Sequence, residues 1–416
     1  MSLFGISISF GLGRRPVSGE APALEESARE ATGSPLTHAA YLARGYMPEL
    51  DGLRAISILG VITAHMHTDI WKWLDGGRGV FVFFVLSGYL ITRLCLIEEN
   101  KKSRVSFRAF YTRRAFRLLP AYYITLAAYC VLILVLGFNP EKRDLLVSSL
   151  PYFVLYMSDI PGLLGINGQL QDLPFGHSWS LGVEEKFYLV FPVLIFGVLR
   201  AGPRLRLPLT TGLTLFFMAS PFYGLGEYAA LLYPYSNILL GCLLAMLLHE
   251  QRWFDHLKRS GVWWWPTIML GVFLIVQFGL QPEDDTPIIS TAAALVRSVY
   301  ALAATLLLAA VILSHGWLKS AMSWAPLVFI GRISYGIYLI HRLGLNPVED
   351  FLGAEGGGVA INVLSYILAS AVSIAAAYVL YLLIEGPLNR FGHAWSRRIQ
   401  ENSKQKTVGG PQFASG

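Results

Sequence analysis

Long apolar stretches recur along most of the chain and are separated by short polar connections. Ten of these stretches lie near the ~20 residues that a helix needs to cross a bilayer. They cover residues 48–68, 78–97, 116–137, 179–199, 208–224, 228–248, 262–280, 288–314, 323–344 and 360–384. A further run, 147–157, is short and contains Pro151, so we interpret it as re-entrant or interfacial. The pattern predicts an all-α polytopic membrane helix bundle, with about ten transmembrane helices plus one short re-entrant or interfacial helix.

The composition agrees with a membrane protein. Of the 416 residues, 54% are hydrophobic and 14% are charged, whereas soluble chains carry about 25% charge. The net charge of +6 fits basic residues collected in cytoplasmic loops, so we expect a lipid bilayer as partner and no nucleic acid. Cys95, Cys130 and Cys242 lie in apolar runs without the spacing of a zinc site. We therefore expect no metal.

The charge pattern predicts the topology. Basic clusters occupy the connections that ten spans would leave on one side: Lys101–Arg117, Arg200–Arg206, Arg252–Arg259, His315–Lys319 and Arg390–Arg398. The positive-inside rule then places both termini in the cytoplasm, with Asn139–Asp144 as a mild exception. We predict three regions: a flexible cytoplasmic tail over 1–46, a membrane-embedded domain over 47–390 and a basic cytoplasmic tail over 391–416.

Arg54 and His65 bracket an apolar decamer in the first predicted span. Eleven residues correspond to about 1100°, so the two side chains share one helix face about 16 Å apart along the axis. Ionisable groups inside a span usually face the protein interior or a wet cavity. Histidine exchanges a proton near neutral pH, whereas arginine stays charged. This face is the first candidate for a functional site.

A run of arginines opens the third predicted span. Arg114 and Arg117 are three residues apart and project from one helix face, with Arg113 beside them. Guanidinium groups bind phosphate through paired hydrogen bonds, so this run is a candidate phosphate site. The alternative is that these are snorkelling arginines that follow the positive-inside rule.

Two adjacent carboxylates, Glu184 and Glu185, lie near the start of the span at 179–199. The helix dipole explains one acidic residue there. Adjacent side chains point about 100° apart, so at least one of the two should face the bundle interior. We expect that carboxylate to face His65, where it would orient the imidazole and stabilise its protonated form.

Two late residues have a simpler interpretation. We interpret His341 as a helix-packing or interfacial residue, and Glu385 as a structural partner for a nearby arginine. Gly386 and Pro387 are expected to end the last span.

Five motifs together resemble the acyltransferase-3 family of multipass bacterial membrane proteins, which includes O-antigen, peptidoglycan, Nod-factor and macrolide O-acyltransferases. The motifs are Leu50-Asp51-Gly52-Leu53-Arg54-Ala55 with His65, the run Phe83–Thr92, Arg114-x-x-Arg117-Leu-x-Pro120, the run Ser178–Tyr188, and Tyr381-x3-Glu385-x-Pro387. There are two departures: Phe81 stands where the family commonly has aspartate, and Lys186 where glutamine is usual.

The resemblance implies an enzyme of the inner membrane. It would transfer an acyl group, expected to be acetyl, from cytoplasmic acyl-CoA to a hydroxyl of a saccharide or glycolipid acceptor. Arg114 and Arg117, with Arg113 beside them, would hold the phosphates of CoA.

The resemblance also assigns chemical roles. His65 would act as the general base for the acceptor hydroxyl, assisted by Glu184 or Glu185. Arg54 would stabilise charge on the thioester, and Arg78, at the start of the second span, is a second candidate oxyanion donor. The sequence contains no Gly-x-Ser-x-Gly elbow, so direct transfer is favoured over an acyl-enzyme.

A proton-coupled transporter is the alternative function, because intramembrane His, Arg and Glu also form proton relays. Such a protein would show internal symmetry between its halves. Neither the Arg-x10-His pattern nor the stretch around Glu184 and Glu185 is repeated in this chain.

Overall fold

The computed structural model describes residues 36–160, 173–200, 202–224, 228–259, 264–280 and 291–408. In these ranges the chain forms helices and no strand, which confirms the predicted all-α class. The α-helices are α1 His38–Ala43, α2 Pro48–Ala64, α3 Gly79–Lys102, α4 Phe107–Cys130, α5 Arg143–Val154, α6 Trp179–Pro192, α7 Arg206–Met218, α8 Tyr228–His249, α9 Gln251–Arg259, α10 Trp265–Gly279, α11 Thr291–Leu313, α12 Trp317–Met322, α13 Ala325–Arg332, α14 Ser334–Leu352, α15 Val359–Leu380 and α16 Gly386–Val408.

The chain divides into two compact units, Met1–Met47 and Pro48–Gly416. In the first unit, α1 is capped by Thr37, whose hydroxyl accepts a hydrogen bond from the amide of Ala40 at 3.1 Å. Residues 1–35 of the predicted flexible tail lie outside the described residues.

Five helical stretches are long and apolar enough to cross a membrane: Gly76–Lys102, Phe107–Val135, Leu232–His249, Leu295–Leu313 and Val359–Asn402. They indicate a multi-pass membrane protein. The count of about ten spans is not confirmed and stays a prediction.

Several of the other predicted spans form shorter helices. The first is helical only over Pro48–Ala64 and is followed by 3-10 turns. The span predicted at 323–344 breaks at Ile333, which separates α13 from α14. The short run at 147–157 overlaps α5, whose 12 residues reach about 18 Å, too little to cross a bilayer.

The predicted end of the last helix at Gly386 and Pro387 is wrong. A π-helical segment, Tyr381–Glu385, continues α15 into α16 without leaving the helical region. Pro387 has no amide hydrogen, which is tolerated in the first turn of a helix. It lies in the first turn of α16, directly after the wider π turn, so the helix continues through it. The boundary predicted at 391 therefore falls within a helix. Phe391 packs against Phe116 of α4, with ring centroids 5.2 Å apart.

Glycines allow the closest helix contacts in the core. A Cβ added at Gly88 of α3 would lie 1.8 Å from the carbonyl oxygen of Ile238 in α8, and one at Gly241 would lie 2.0 Å from that of Val85. Small residues at these positions let two backbones approach, as in many membrane helix pairs. A glycine also allows α2 and α13 to approach closely, because Gly331 faces the backbone of Asp51.

We expect Gly88→Ala to destabilise the protein, because the added methyl group has no room against a backbone carbonyl. Overpacking of this kind costs about 1–3 kcal/mol, measured as a lower thermal midpoint of the detergent-solubilised protein. Gly271→Ala in α10 is the matched control, since nothing lies within 4 Å of the added atom. Alanine is the better helix former there, so its midpoint should stay or rise. Equal midpoints for the two variants would contradict the packing.

Candidate active site

Helix α2 is central to the site because it lies against α3, α12, α13 and α14. It carries Arg54 near its start, and His65 follows its last residue. The helix spans the interval between them, which corresponds to about 16 Å along the axis. The two residues belong to two different clusters of polar side chains.

The first cluster is built around three guanidinium groups, those of Arg54, Arg114 and Arg117. The guanidinium carbon of Arg114 lies 4.7 Å from the centroid of the Tyr188 ring. Arg117 lies close enough to Arg54 and Arg114 to be repelled by both. Like charges this close are stable only beside negative charge, which acidic side chains or a bound anion can supply.

Acidic side chains lie beside these guanidinium groups. Arg54 Nη1 is 3.1 Å from Asp51 Oδ1, and Glu385 interacts electrostatically with Arg117. The interpretation of Glu385 as a partner for an arginine therefore agrees with its position. The side chain of Arg117 is exposed although helices surround it, which indicates an open, wet space between them.

Glu184 belongs to this arginine cluster. It accepts hydrogen bonds from Tyr188 Oη at 2.5 Å and from Ser87 Oγ at 3.2 Å. Arg54 and Arg114 both attract its charge, and Arg114 attracts Glu185. The structure contradicts the expectation that one of these carboxylates faces His65. In the described part of the chain, neither carboxylate forms a hydrogen bond or ion pair with the imidazole, because both lie deeper along α6, level with the arginines.

Arg113 lies apart from the other two arginines of its run. Its Nη2 is 3.4 Å from Glu98 Oε2, and Glu98 also accepts hydrogen bonds from Lys102 at 3.3 Å and Gln400 at 2.8 Å. This network joins the end of α3 to α16. Arg113 directly precedes Arg114 on α4, and the turn of about 100° between adjacent residues points it toward that surface instead of the cluster.

Arg78 is held by four contacts to other groups. Its Nη1 donates to the carbonyls of Val276 at 2.9 Å and Gln277 at 3.1 Å, and its Nη2 donates to that of Leu280 at 2.6 Å. Its Nε is 2.5 Å from Asp75 Oδ2. The guanidinium thus fixes the end of α10 against the start of α3. This use conflicts with the predicted oxyanion role, because its donors are already engaged.

Three histidines form the second cluster. The ring of His65 lies 4.8 Å from that of His341 and 6.4 Å from that of His177, and His341 and His177 are 5.0 Å apart. Arg342 acts electrostatically on all three. Among the described residues, no group of three His, Cys, Asp or Glu side chains is arranged to hold a metal ion. His341, interpreted from sequence as a packing residue, lies next to the candidate base.

The hydrogen bonds assign the tautomers. His341 Nδ1 lies 2.7 Å from the carbonyl of Tyr338, and His65 Nδ1 lies 2.9 Å from that of Val61. A carbonyl oxygen only accepts, so each Nδ1 carries hydrogen in the neutral ring. The Nδ1 hydrogen of His65 is then shared between the Val61 carbonyl and His341 Nε2, which lies 3.3 Å away. The lone pair of His65 is left on Nε2, as a general base requires.

Tyr338 connects the two clusters. Its hydroxyl donates to the carbonyl of His177 and accepts from Ser180 Oγ at 2.7 Å, and it also interacts electrostatically with Glu184. Sequence reasoning missed Tyr338 and His177 as site residues. The available signal was the spacing of Tyr338 and His341, three residues apart on one face of α14.

A family model described as an acyltransferase domain matches residues 47–382, which include both clusters. The chain belongs to the acyltransferase-3 family. It is 30% identical over 377 residues to YrhL of Bacillus subtilis (strain 168), provisionally named a peptidoglycan O-acetyltransferase, with 85% of this chain and 57% of YrhL covered. It is 29% identical over 366 residues to the O-acetyltransferase OatA of Staphylococcus aureus, covering 83% of this chain and 58% of OatA. The chain thus spans little more than half the length of these relatives. No solved structure matches it.

The two residues that depart from the acyltransferase-3 motifs, Lys186 and Phe81, both make specific contacts. Lys186 Nζ contacts both carboxylate oxygens of Asp159, at 2.6 and 2.5 Å. Asp159 is buried, so the lysine supplies the partner that a buried charge needs. Phe81 packs edge-on against Tyr233 and Tyr300, with ring centroids 6.0 and 6.2 Å away.

Proposed function

We propose that this protein is a membrane O-acyltransferase that moves an acyl group, expected to be acetyl, from acyl-CoA to a hydroxyl of a glycan-type acceptor. The observation that carries the proposal is the pair of clusters on α2. A set of arginines suited to phosphate lies near one end of the helix, and a histidine with a free basic nitrogen lies at the other. The family and the names of the relatives support the reaction class.

The arginine cluster fits the charged part of the donor. The phosphates of acyl-CoA would bind Arg117, Arg114 and Arg54. In the described part of the chain, Arg117 makes no direct hydrogen bond or ion pair, so its donors are available to a phosphate. The exposed side chain of Arg117 gives the donor access from the wet space. Because α2 leads from this cluster to His65, the arm of CoA would extend along the helix and bring its thioester to the histidines.

His65 would then act on the acceptor. Its Nε2 takes the proton of the acceptor hydroxyl while the oxygen attacks the thioester carbonyl. The carbon–sulfur bond breaks, and the proton passes to the departing CoA thiolate, so the products are the ester and free CoA. His341 holds the tautomer of His65, a positioning role that the sequence alone assigned to a carboxylate.

The acceptor class comes from the relatives. YrhL and OatA carry names that denote O-acetylation, in one case of peptidoglycan, so a saccharide or glycolipid hydroxyl is the acceptor we propose. The inner membrane is the proposed location, with the arginine cluster nearer the cytoplasm and the histidines nearer the outer face. Both termini would then lie in the cytoplasm. The transporter alternative is not favoured by the family assignment.

Thioester turnover tests the proposed function. The purified protein in detergent, given acetyl-CoA without acceptor, should release free CoA slowly, and a glycan acceptor should accelerate the release. CoA release is followed by its reaction with a thiol reagent. Absence of release under both conditions, from protein that keeps its thermal midpoint, would overturn the proposal.

His341→Gln is expected to lower kcat for thioester turnover about 10–100-fold, because His65 loses one of the two groups that orient its ring, the other being the Val61 carbonyl. The KM for acetyl-CoA should change little, since His341 is remote from the arginine cluster. His67→Gln is the control, because His67 instead pairs with Glu349, Nδ1 to Oε2 at 2.9 Å. A purely structural role for His341 would lower the thermal midpoint and affect KM and kcat together.

A further inference from the structure

A third polar cluster, separate from the two that the proposed function uses, lies between α3, α8 and α11. Its central residue is Arg297 of α11, three residues before Tyr300 and therefore on the same helix face. The Tyr300 ring lies 6.2 Å from that of Phe81, and the guanidinium carbon of Arg78 lies 5.5 Å from the Tyr300 centroid. Arg297 thus faces the interior of the bundle.

Among the described residues, none pairs directly with the charge of Arg297. Across the described ranges, its side chain makes no hydrogen bond and no ion pair within 4 Å. Asp75 is the acidic group that acts on it at longer range, and Asp75 is already paired with Arg78 Nε at 2.5 Å. A guanidinium in a membrane bundle is costly without a partner, and such residues usually mark a binding site or a pathway.

Two further donors face the same region from α8. The side chains of Tyr233 and Asn237 are 2% and 0% exposed. Tyr233 interacts electrostatically with Arg297 and lies beside Asn237. Neither Tyr233 Oη nor Asn237 Nδ2 makes a hydrogen bond of regular geometry, although the two side chains interact with each other. Ser236 donates its hydroxyl hydrogen to the carbonyl of Tyr233 at 2.7 Å, so it leaves the Asn237 amide, 3.5 Å away, without a strong hydrogen bond. Buried donors without acceptors cost free energy unless a ligand satisfies them.

We propose that Arg297, Tyr233 and Asn237 form a binding subsite for an anionic oxygen group, a carboxylate or a phosphate, carried by the acceptor. The three residues offer a positive charge and two neutral donors, which complements an oxyanion and not a cation. Phe81 closes one side of the subsite, because its ring packs between Tyr233 and Tyr300. This inference rests on the proposed function, since it assigns a part of the acceptor.

The subsite lies at the same end of the bundle as His65. Gly76, at the start of the segment that leads into α3, packs against the backbone of Gly60 and the hydroxyl of Thr63 in α2. Arg78 follows two residues later and interacts with Arg297. An acceptor longer than one sugar would therefore place its anionic group in this subsite while its hydroxyl lies at the histidines. Such a contact selects among acceptors and takes no part in bond making.

Direct binding tests the subsite independently of turnover. The full chain in discs of neutral phosphatidylcholine is titrated by calorimetry with N-acetylmuramic acid, which carries a carboxylate, and with N-acetylglucosamine, which has the same ring without it. We expect at least tenfold tighter binding of the acidic sugar. Arg297→Met should remove that preference, and its rate of acetyl-CoA hydrolysis without acceptor should match that of the wild type.

Two variants of Phe81 give a matched comparison. Phe81→Asp should abolish the preference for the acidic sugar, because the new carboxylate would form an ion pair with the guanidinium of Arg297. Phe81→Asn removes the same ring without adding charge and should keep the preference. If Arg297→Met and Phe81→Asp both bind the two sugars as the wild type does, the subsite is overturned, whatever the turnover assay shows.

The source of the anion is distinguished by changing the lipid. If phosphatidylglycerol in the discs displaces N-acetylmuramic acid from the wild type but not from Arg297→Met, or if it alone binds in an Arg297-dependent way, the ligand is a lipid headgroup. Either result would overturn the assignment to the acceptor. Failure of the proposed function is a separate result, because the wild type would then release no CoA while sugar binding could still follow the expected pattern.

Discussion

His65→Ala is expected to lower thioester turnover about 10²–10⁴-fold, the usual contribution of a positioned general base. The expectation rests on the tautomer. His65 Nδ1 donates to the Val61 carbonyl and toward His341 Nε2, so Nε2 is the free basic nitrogen. The measurement is CoA release at saturating acetyl-CoA, with and without a glycan acceptor.

Acetyl-CoA binding provides the control for His65→Ala. The histidine cluster and the arginine cluster are separated by about 16 Å along α2, so calorimetric affinity for acetyl-CoA should remain within about threefold of the wild type. A variant that binds acetyl-CoA normally and still turns over at the wild-type rate would exclude His65 as the base. One that loses binding and turnover together would indicate a structural defect instead.

Arg117→Ala is expected to weaken acetyl-CoA binding about 10–100-fold. A hydrogen bond to a charged group contributes about 1.5–3 kcal/mol, and Arg117 is the exposed member of the arginine cluster. Arg117→Lys should recover only part of the affinity, because an ammonium group does not bind phosphate through two parallel hydrogen bonds. Calorimetry with acetyl-CoA measures both variants.

Arg113→Ala is the matched control for Arg117→Ala. The two arginines lie on the same helix and were equal candidates from sequence, but Arg113 pairs with Glu98. Its replacement should change the affinity for acetyl-CoA by less than about threefold. A larger loss from Arg113→Ala than from Arg117→Ala would contradict the location assigned to the phosphates.

Helix periodicity predicted which residues share a face, but not which faces meet. Arg114 and Arg117 are close in sequence, and the spacing rule placed them together. The partner of His65 lies 276 positions later, at His341. Neither residue carries a local signal for the other, and the prediction of a carboxylate partner failed because Glu184 satisfies the arginines instead. Contacts between distant helices depend on packing of the whole bundle.

Helix ends were also difficult to predict. Gly386 and Pro387 have the composition of a helix stop, yet a π-helical segment before them keeps the helix continuous. Ile333 has no such composition and still separates two helices. Apolar length therefore predicted the fold class well, whereas local backbone geometry decided where individual helices begin and end.

The most direct test of the account is the fate of the acyl group. The protein in neutral discs is incubated with acetyl-CoA that carries carbon-13 in its acetyl group, together with a digest of bacterial peptidoglycan, and the sugars are analysed by mass spectrometry. We predict a labelled, ester-linked acetyl group on the glycan with the wild type and none with His65→Ala. Release of CoA at the wild-type rate without any labelled glycan would contradict transfer to such an acceptor. Labelled glycan formed equally well by His65→Ala would contradict the mechanism.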